Sequence, residues 1–428
     1  MNYIHRHILS HPRYVRMFEW GKALSITGAA QILVQASGLL CGILIIRLLP
    51  VKEYAFYTIA NTMLGTMTVL ADGGISSGVM AQGGKVWKDK DELGKVLATG
   101  LDLRRKFAIG SLLITIPILT FLLWRQGADI WMIVLIVLTL IPAFFAALSD
   151  SILGIVSKLH QDIKPLQYNQ VKVGVFRLIL SACFVWVFPF TFIALLASGI
   201  PRIYGNLQMK KIASKFSESN SKPTLEYRQN ILRIVKKMMP GAIYYCISGQ
   251  ITIWLISFLG STDSIAKVGA LGRFSMLLSV FTVLFGTLVT PRFARMQEDK
   301  ISLLKKFATI QILLIFLCTL FCGLIYLFPQ PALWLLGNKF SGLHVELTLS
   351  VVSSSLSLMS GVFFGLSSSR GWPTHPAILI TGNVLSVAAG ILLFDLTSLR
   401  GALWFNIFIS TYPVIIHSLN FYYKIFRK

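Results

Sequence analysis

One long uncharged stretch near the start of the chain restricts the possible folds more than any other feature. No charged residue lies between Ala23 and Ile46, and charge returns at Arg47. A helix rises about 1.5 Å per residue, so about 20 apolar residues cross the hydrocarbon core of a bilayer. A second apolar stretch follows Pro50 and reaches Asp72. This alternation continues to the end of the chain and predicts a protein that crosses the membrane many times.

The composition agrees with this prediction. The 428 residues are 55% hydrophobic and only 13% charged, which lies outside the usual composition of soluble domains. We predict an all-α integral membrane protein with about twelve transmembrane helices. The predicted spans lie near residues 23–46, 55–81, 107–124, 130–156, 170–188, 190–206, 240–259, 266–290, 307–328, 344–367, 376–394 and 402–423. Between the fifth and sixth spans, one long re-entrant hairpin is an alternative.

The excess of basic residues indicates orientation. The chain has 40 Lys and Arg against 17 Asp and Glu, and in a membrane protein basic residues concentrate in cytoplasmic loops. With a cytoplasmic N-terminus, about 32 of the 40 basic residues fall on the inside. We therefore expect both termini in the cytoplasm and no nucleic-acid partner. We predict that residues 1–22 form an amphipathic cytoplasmic segment before the first span, and not a cleaved signal peptide.

The middle of the chain suggests two halves. The longest polar segment lies there, with six predicted spans before it and six after it. We predict bundles at residues 1–206 and 240–428, joined by a cytoplasmic linker at 207–239. The connection Arg47–Tyr57 also resembles Ser257–Gly269, because each has a Leu-Pro or Leu-Gly turn followed by an acidic residue. This predicts a parallel repeat, with two six-helix bundles related by pseudo-two-fold symmetry.

The sequence contains no recognisable catalytic constellation. Paired acids and bases, a glycine-rich phosphate loop and a nucleophile motif are all missing. The predicted outer loops are short, and the five cysteines fall inside apolar runs, where a thiol behaves as a small hydrophobe. The sequence therefore favours transport over catalysis and predicts neither a metal nor a cofactor.

Several charged residues fall at membrane depth, where they cost free energy unless they face a cavity or a bundle interior. Arg177 in the fifth span and Arg273 in the eighth are deep enough that we expect them to face a cavity. Arg202 and Arg47 lie nearer to helix ends, so reaching the interface and binding substrate both remain open for them. Arginine pairs with phosphate in a bidentate way, which suits an anionic substrate such as a diphosphate.

Two carboxylates are candidates for coupling to a cation or a proton. Asp150 falls late in the fourth span, and Asp72 lies near the end of the second. Asp72 precedes Gly73-Gly74, so capping of a helix turn is the alternative for it. That glycine pair is also one of the expected helix breaks. Further kinks are expected at Pro142, Pro201 and Pro413.

Uncharged polar residues form stripes on two spans. Gln31 and Gln35 lie four apart in the first span, and Tyr244 and Ser248 lie four apart in the seventh. Residues four apart share one face of a helix. Such stripes either pack helix against helix or line a pathway. In a two-bundle arrangement these spans border the central cleft, which makes all four residues candidates for substrate contact.

The run Leu49–Tyr57, followed by Val69–Gly74 and a charged inner loop, resembles the start of bacterial polysaccharide-export proteins of the O-antigen flippase type. These belong to the multidrug/oligosaccharidyl-lipid/polysaccharide exporter superfamily, and the resemblance extends through the spans, the midpoint linker and the short outer loops. It implies a V-shaped pair of bundles with a central cleft, in the bacterial cytoplasmic (inner) membrane. The implied function is to flip an undecaprenyl-diphosphate-linked oligosaccharide to the outer leaflet, for O-antigen, lipopolysaccharide or other surface polysaccharide biosynthesis.

By position, Arg47, Arg177, Arg202 and Arg273 are the residues that the resemblance implies at the diphosphate. Membrane lipids and other polysaccharide-assembly proteins are the implied partners. The alternative function is a cation-coupled multidrug or small-molecule exporter of the same fold, driven by H⁺ or Na⁺. A membrane glycosyltransferase or polymerase is a third hypothesis, and the short outer loops argue against it.

Overall fold

The computed structural model describes residues 12–427, with gaps at 161, 219, 286–288, 291–292, 294–299, 371 and 373. The described residues form helices joined by short connections, and no strand is found among them. The first bundle contains seven helices, which are α1 (Pro12–Leu48), α2 (Val51–Asp72), α3 (Ile75–Val86), α4 (Lys90–Arg125), α5 (Ile130–Leu159), α6 (Ile163–Val187) and α7 (Thr191–Ala213).

The second bundle contains eight described helices. They are α8 (Leu225–Leu259), α9 (Thr262–Leu271), α10 (Ser275–Leu284), α11 (Lys300–Leu327), α12 (Pro329–Leu336), α13 (His344–Ser369), α14 (Pro376–Leu393) and α15 (Leu399–Arg427). The pairs α2–α3 and α9–α10 each form one interrupted span, and α12 is too short to cross a bilayer.

The predicted fold class, an all-α membrane protein of two helical bundles, is confirmed. Seven of the described helices are long and apolar enough to cross a bilayer by themselves, which makes this a multi-pass membrane protein. The fifth and sixth spans are two separate helices, α6 and α7, joined at residues 188–190. The first of them, α6, is long and apolar enough to cross a bilayer by itself.

The second span breaks where the sequence has two adjacent glycines. Gly73 and Gly74 have φ of 47° and 98°, a region that residues with a side chain rarely adopt. A Cβ on Gly74 would lie 2.8 Å from Cβ of Met238 in α8, so the absence of a side chain also allows α8 to approach. The eighth span breaks at a 3₁₀ turn, Gly272–Phe274. The three prolines expected to kink helices lie inside the continuous helices α5, α7 and α15.

The polar midpoint segment is largely helical and packs on the first bundle. Helix α7 continues to Ala213, and α8 begins at Leu225. Ile231 and Val235 of α8 are buried in one apolar cluster with residues of α3 and α4. The hydroxyl of Tyr227 donates to Glu92 at 2.7 Å, and that carboxylate raises the pKa of Tyr227 to about 12. The first part of α8 thus packs against the first bundle, although the sequence predicts it to be a linker. The domain boundaries at 206 and 240 remain a prediction.

The two bundles also touch at the opposite end, which we call the predicted outer face because it carries the α1–α2, α4–α5 and α8–α9 connections. The guanidinium of Arg125 donates to the carbonyl of Phe258 at 2.8 Å. The amide of Gln126 donates to the Ser257 carbonyl at 2.8 Å and accepts from the Thr262 hydroxyl at 2.7 Å. Residues of both bundles share one apolar cluster there. We call this set of contacts the outer closure.

Candidate functional site

A cavity of about 850 Å³ lies inside the first bundle, between α1, α3, α5, α6 and α7. Arg177, Arg202 and Lys158 contribute three positive charges to its lining, and Asp150 contributes one negative charge. A second cavity, of about 720 Å³, lies inside the second bundle between α8, α13, α14 and α15. We call them the first-bundle cavity and the second-bundle cavity.

The arginines of the first-bundle cavity are available to bind an anion. Nε of Arg177 is buried without a hydrogen-bond partner among the described residues. Arg202 is exposed to the cavity space, and within the described chain it makes neither an ion pair nor a hydrogen bond. Arg202 interacts electrostatically with Asp150 and, less strongly, with Arg177. Three cations against one carboxylate leave the lining with a net positive charge, which favours a ligand of negative charge.

Amides support this lining, and the sequence analysis missed them. Asn206 donates to the Asp150 carboxylate at 2.7 Å, which orients that carboxylate in the cavity. Asn169 donates to the Gly205 carbonyl at 3.0 Å, while its own side-chain oxygen is buried and without a partner among the described residues. Asn169 is only 6% exposed, so an unmet acceptor there is costly without a ligand. In the sequence both residues lack any motif, since Asn169 lies just before the predicted span 170–188 and Asn206 is the last residue of the predicted span 190–206.

Asp72 forms an ion pair with a buried arginine. Its carboxylate accepts from the backbone N–H of Ser76 at 3.1 Å and from the Ser76 hydroxyl at 2.7 Å, so it links the ends of α2 and α3 across the glycine break. It also pairs with Arg104, which is 3% exposed and donates to the Leu148 carbonyl at 2.7 Å. The predicted third span, 107–124, begins after Arg104, so the sequence analysis does not single this residue out. These contacts favour a structural role for Asp72 over ion coupling.

Asp72→Ala is therefore expected to lower stability and export together. Loss of Asp72 leaves the buried charge of Arg104 uncompensated, which costs up to about 3–5 kcal/mol in a fully buried pair and less here because Asp72 is partly exposed. Thermal unfolding of the purified protein and its abundance in the membrane measure the effect. Asp102→Ala is the matched control, because Asp102 pairs with the half-exposed Lys106 on one helix, a contact of at most about 0.5 kcal/mol. Lost export with normal abundance and melting temperature would instead support a coupling role.

Arg273 lies at the contact between the two bundles rather than among the residues that line either cavity. Its Nε donates to the Tyr54 hydroxyl at 3.4 Å, and its guanidinium lies 5.8 Å from the centre of the Tyr57 ring. A Cβ on Gly42 would lie 3.1 Å from its Cδ. The side chain of Arg273 thus begins at the 3₁₀ turn after α9 and reaches into the space between α1 and α2 of the first bundle.

The remaining candidates separate into distinct places. Arg47 lies on the predicted outer face, where it donates to the Leu335 carbonyl at 2.9 Å and stacks 4.8 Å from the Trp334 ring, outside both cavities. Tyr244 and Ser248 line the second-bundle cavity and are hydrogen-bonded to each other. Gln35 is half-buried on α1 and lines neither cavity, and the side chain of Gln31 lies outside the described residues.

The comparisons with known proteins give a fold but no close sequence relative. No protein-family model matches the chain, and neither does any curated protein. Among solved structures, one described as the inward-facing conformation of a multidrug resistance MATE family transporter of the MOP superfamily has a TM-score of 0.67 and 14% identity, covering 92% of this chain and 94% of that one. The outward-facing conformation described for such a transporter has a TM-score of 0.65 and 14% identity, covering 95% of each chain.

A third similar structure is a MOP superfamily transporter from Pyrococcus furiosus, described as having a binding pocket of reverse polarity that suggests a different function. Its TM-score is 0.63 at 16% identity, over 95% of this chain and 94% of that one. Identities this low establish the fold alone. The chain has the two-bundle fold of the MATE transporters of the MOP superfamily.

Proposed function

We propose that this chain is a membrane transporter that moves its cargo by alternating access between two bundles, and that the cargo is anionic. The observation that carries the proposal is the pair of arginines, Arg177 and Arg202, which line the first-bundle cavity and form no salt bridge with the described residues. Their two guanidinium groups match a phosphate or diphosphate, which each can bind through two parallel hydrogen bonds. The shared fold with transporters supports movement of a cargo rather than its chemical conversion.

The specific cargo that we propose is an undecaprenyl-diphosphate-linked oligosaccharide, flipped from the inner to the outer leaflet of the bacterial cytoplasmic membrane. Its diphosphate supplies the anion that the first-bundle cavity favours. Deletion of the gene is expected to trap lipid-linked repeat units on the inner face and to reduce surface polysaccharide. Leaflet-specific detection of the lipid-linked sugar measures this. Normal surface polysaccharide in the deletion strain would contradict the proposed cargo.

A cation-coupled exporter of small molecules is the second candidate, and the comparisons favour it more directly, since two of the similar structures are described as multidrug resistance transporters. Asp150 is the residue that supports it here. This carboxylate lines the first-bundle cavity, where a proton or Na⁺ can reach it. The Pyrococcus structure is described as having reversed pocket polarity, which indicates that cargo charge is not set by this fold.

Asp150→Asn distinguishes the two candidates. If Asp150 carries the coupling ion, the variant is expected to lose transport driven by an ion gradient, because an amide cannot take up a proton. Flux in proteoliposomes with and without an imposed H⁺ or Na⁺ gradient is the measurement. Asp129→Asn is the control, since Asp129 lies in the connection before α5, outside the cavity. Equal gradient dependence in the wild type and in Asp150→Asn would remove Asp150 from this role.

A further inference from the structure

The two cavities occupy corresponding places in the two bundles but differ in charge. The first-bundle cavity is lined by the first, second, fourth, fifth and sixth spans, and the second-bundle cavity by the seventh, tenth, eleventh and twelfth. The first, fourth, fifth and sixth spans of each half thus contribute in both bundles. Where the fifth and sixth spans supply Arg177 and Arg202, their counterparts α14 and α15 supply Asn383 and Ser410. Among the described residues, no Lys, Arg, Asp or Glu lines the second-bundle cavity.

Most of the second-bundle wall is aliphatic or aromatic. Its apolar side chains come from all four helices and include Ile251, Phe364, Leu379, Ile380, Val384 and Ile409. Phe364 is 43% exposed and Val384 is 57% exposed. Exposed apolar side chains that line an internal cavity are best covered by an apolar ligand.

The polar side chains of this cavity are largely engaged with the protein. The Ser357 hydroxyl donates to the Ser353 carbonyl at 3.1 Å, and the Asn383 amide donates to the Leu379 carbonyl at 2.9 Å. His417 is 4% exposed, and its ring nitrogen lies 2.7 Å from the Thr374 hydroxyl. This differs from the first-bundle cavity, where Arg177 and Asn169 keep buried atoms without partners. A ligand here gains little from polar groups.

We propose that the second-bundle cavity binds an uncharged, apolar group, and that this group is the hydrocarbon part of the same cargo whose anionic part binds in the first-bundle cavity. The inference rests on the proposed transport function and deepens it, because it requires an amphipathic cargo. It disfavours an organic cation in the second-bundle cavity, since no carboxylate among the described lining residues is present to compensate the charge. The chemistry, a hydrocarbon chain, is shared by cargo and by bilayer lipid.

Chain-length dependence of binding tests the proposal. The full chain in nanodiscs is titrated with inorganic pyrophosphate and with isopentenyl, geranyl and farnesyl diphosphate. Affinity is expected to rise by at least about tenfold from pyrophosphate to farnesyl diphosphate, because each buried methylene contributes about 0.8 kcal/mol and tenfold requires only about 1.4 kcal/mol.

A variant that fills the cavity shows where the chain binds. Gly361 of α13 lines the second-bundle cavity, and a Cβ there has nothing within 4 Å, so the side chain of Gly361→Leu starts in open space. It is expected to abolish the gain with chain length and to leave pyrophosphate affinity unchanged. Gly110→Leu is the matched control, because Gly110 of α4 also has nothing within 4 Å of a Cβ but lies outside both cavities.

Separate outcomes distinguish failure of the inference from failure of the proposed function. A gain with chain length that survives in Gly361→Leu, or no gain in the wild type, overturns the inference. Phospholipid that co-purifies with the wild type and is released by Gly361→Leu, with no gain from isoprenoid chains, also overturns it and assigns the cavity to bilayer lipid. Pyrophosphate binding that is unchanged in Arg177→Ala instead overturns the anion site on which the proposed function rests.

Discussion

Arg177→Ala and Arg202→Ala are each expected to lower export of the cargo by about 10–100-fold at a normal level of protein in the membrane. A hydrogen bond to a charged group contributes about 1.5–3 kcal/mol, and every 1.4 kcal/mol corresponds to about tenfold in binding. Removal of either side chain should leave folding intact, because neither arginine makes an ion pair within the described chain. Export and membrane abundance are measured in parallel.

A matched variant separates loss of the site from loss of charge. Arg105→Ala also removes one positive charge, but Arg105 is exposed on α4 and lies outside the first-bundle cavity. Its export is expected to equal that of the wild type. Arg177→Lys should restore part of the activity, because it keeps the charge while losing the bidentate geometry. An equal fall of abundance and export in Arg177→Ala would mean that this arginine is structural.

Gly269→Ala is expected to shift the protein towards a state that is open on the predicted outer face. Gly269 of α9 lies against α2 of the other bundle, and a Cβ there would lie 2.6 Å from Cγ2 of Thr58. A Cβ essentially never approaches another atom this closely, so the Thr58 side chain or one of the two helices must shift. The displaced contact belongs to the outer closure, and the least costly response of two packed bundles is to separate there.

Labelling of a buried cysteine measures this shift. Ser257 is fully buried between the bundles, and its carbonyl accepts from Gln126. In a background without native cysteines, Ser257→Cys should react at least about tenfold faster with a membrane-impermeant thiol reagent when Gly269→Ala is present, a shift of about 1.4 kcal/mol.

Gly272→Ala is the control for the methyl group added by Gly269→Ala, because a Cβ at that nearby position has nothing within 4 Å. Its labelling should match that of the parent. The double change Arg125→Ala and Gln126→Ala removes polar contacts of the same closure without adding volume, and it should raise labelling in the same direction. If labelling is unchanged both in Gly269→Ala and in the double variant, the contacts of the outer closure do not hold the two bundles together on the predicted outer face.

Part of the candidate site can be predicted from the sequence. Arg177, Arg202 and Asp150 are predictable as unusual charges in apolar spans, and the structure brings all three to one cavity. Asn169 and Asn206 carry no such signal, because an amide is common in a span and only its neighbours make it part of a site. Arg104 was missed since hydropathy places the membrane boundary after it, whereas α4 already buries it on the side that faces α5.

From the amino-acid sequence alone it follows that this is an all-α protein that crosses a membrane several times. This conclusion rests on the length of apolar runs and the distribution of charge, which are properties of the chain alone. Only the tertiary structure decided that Arg273 and Arg47 contact the opposite bundle, while Arg177 remains unpaired in a cavity. All three are arginines near or within apolar spans, and their roles differ because a partner's position depends on how the bundles pack.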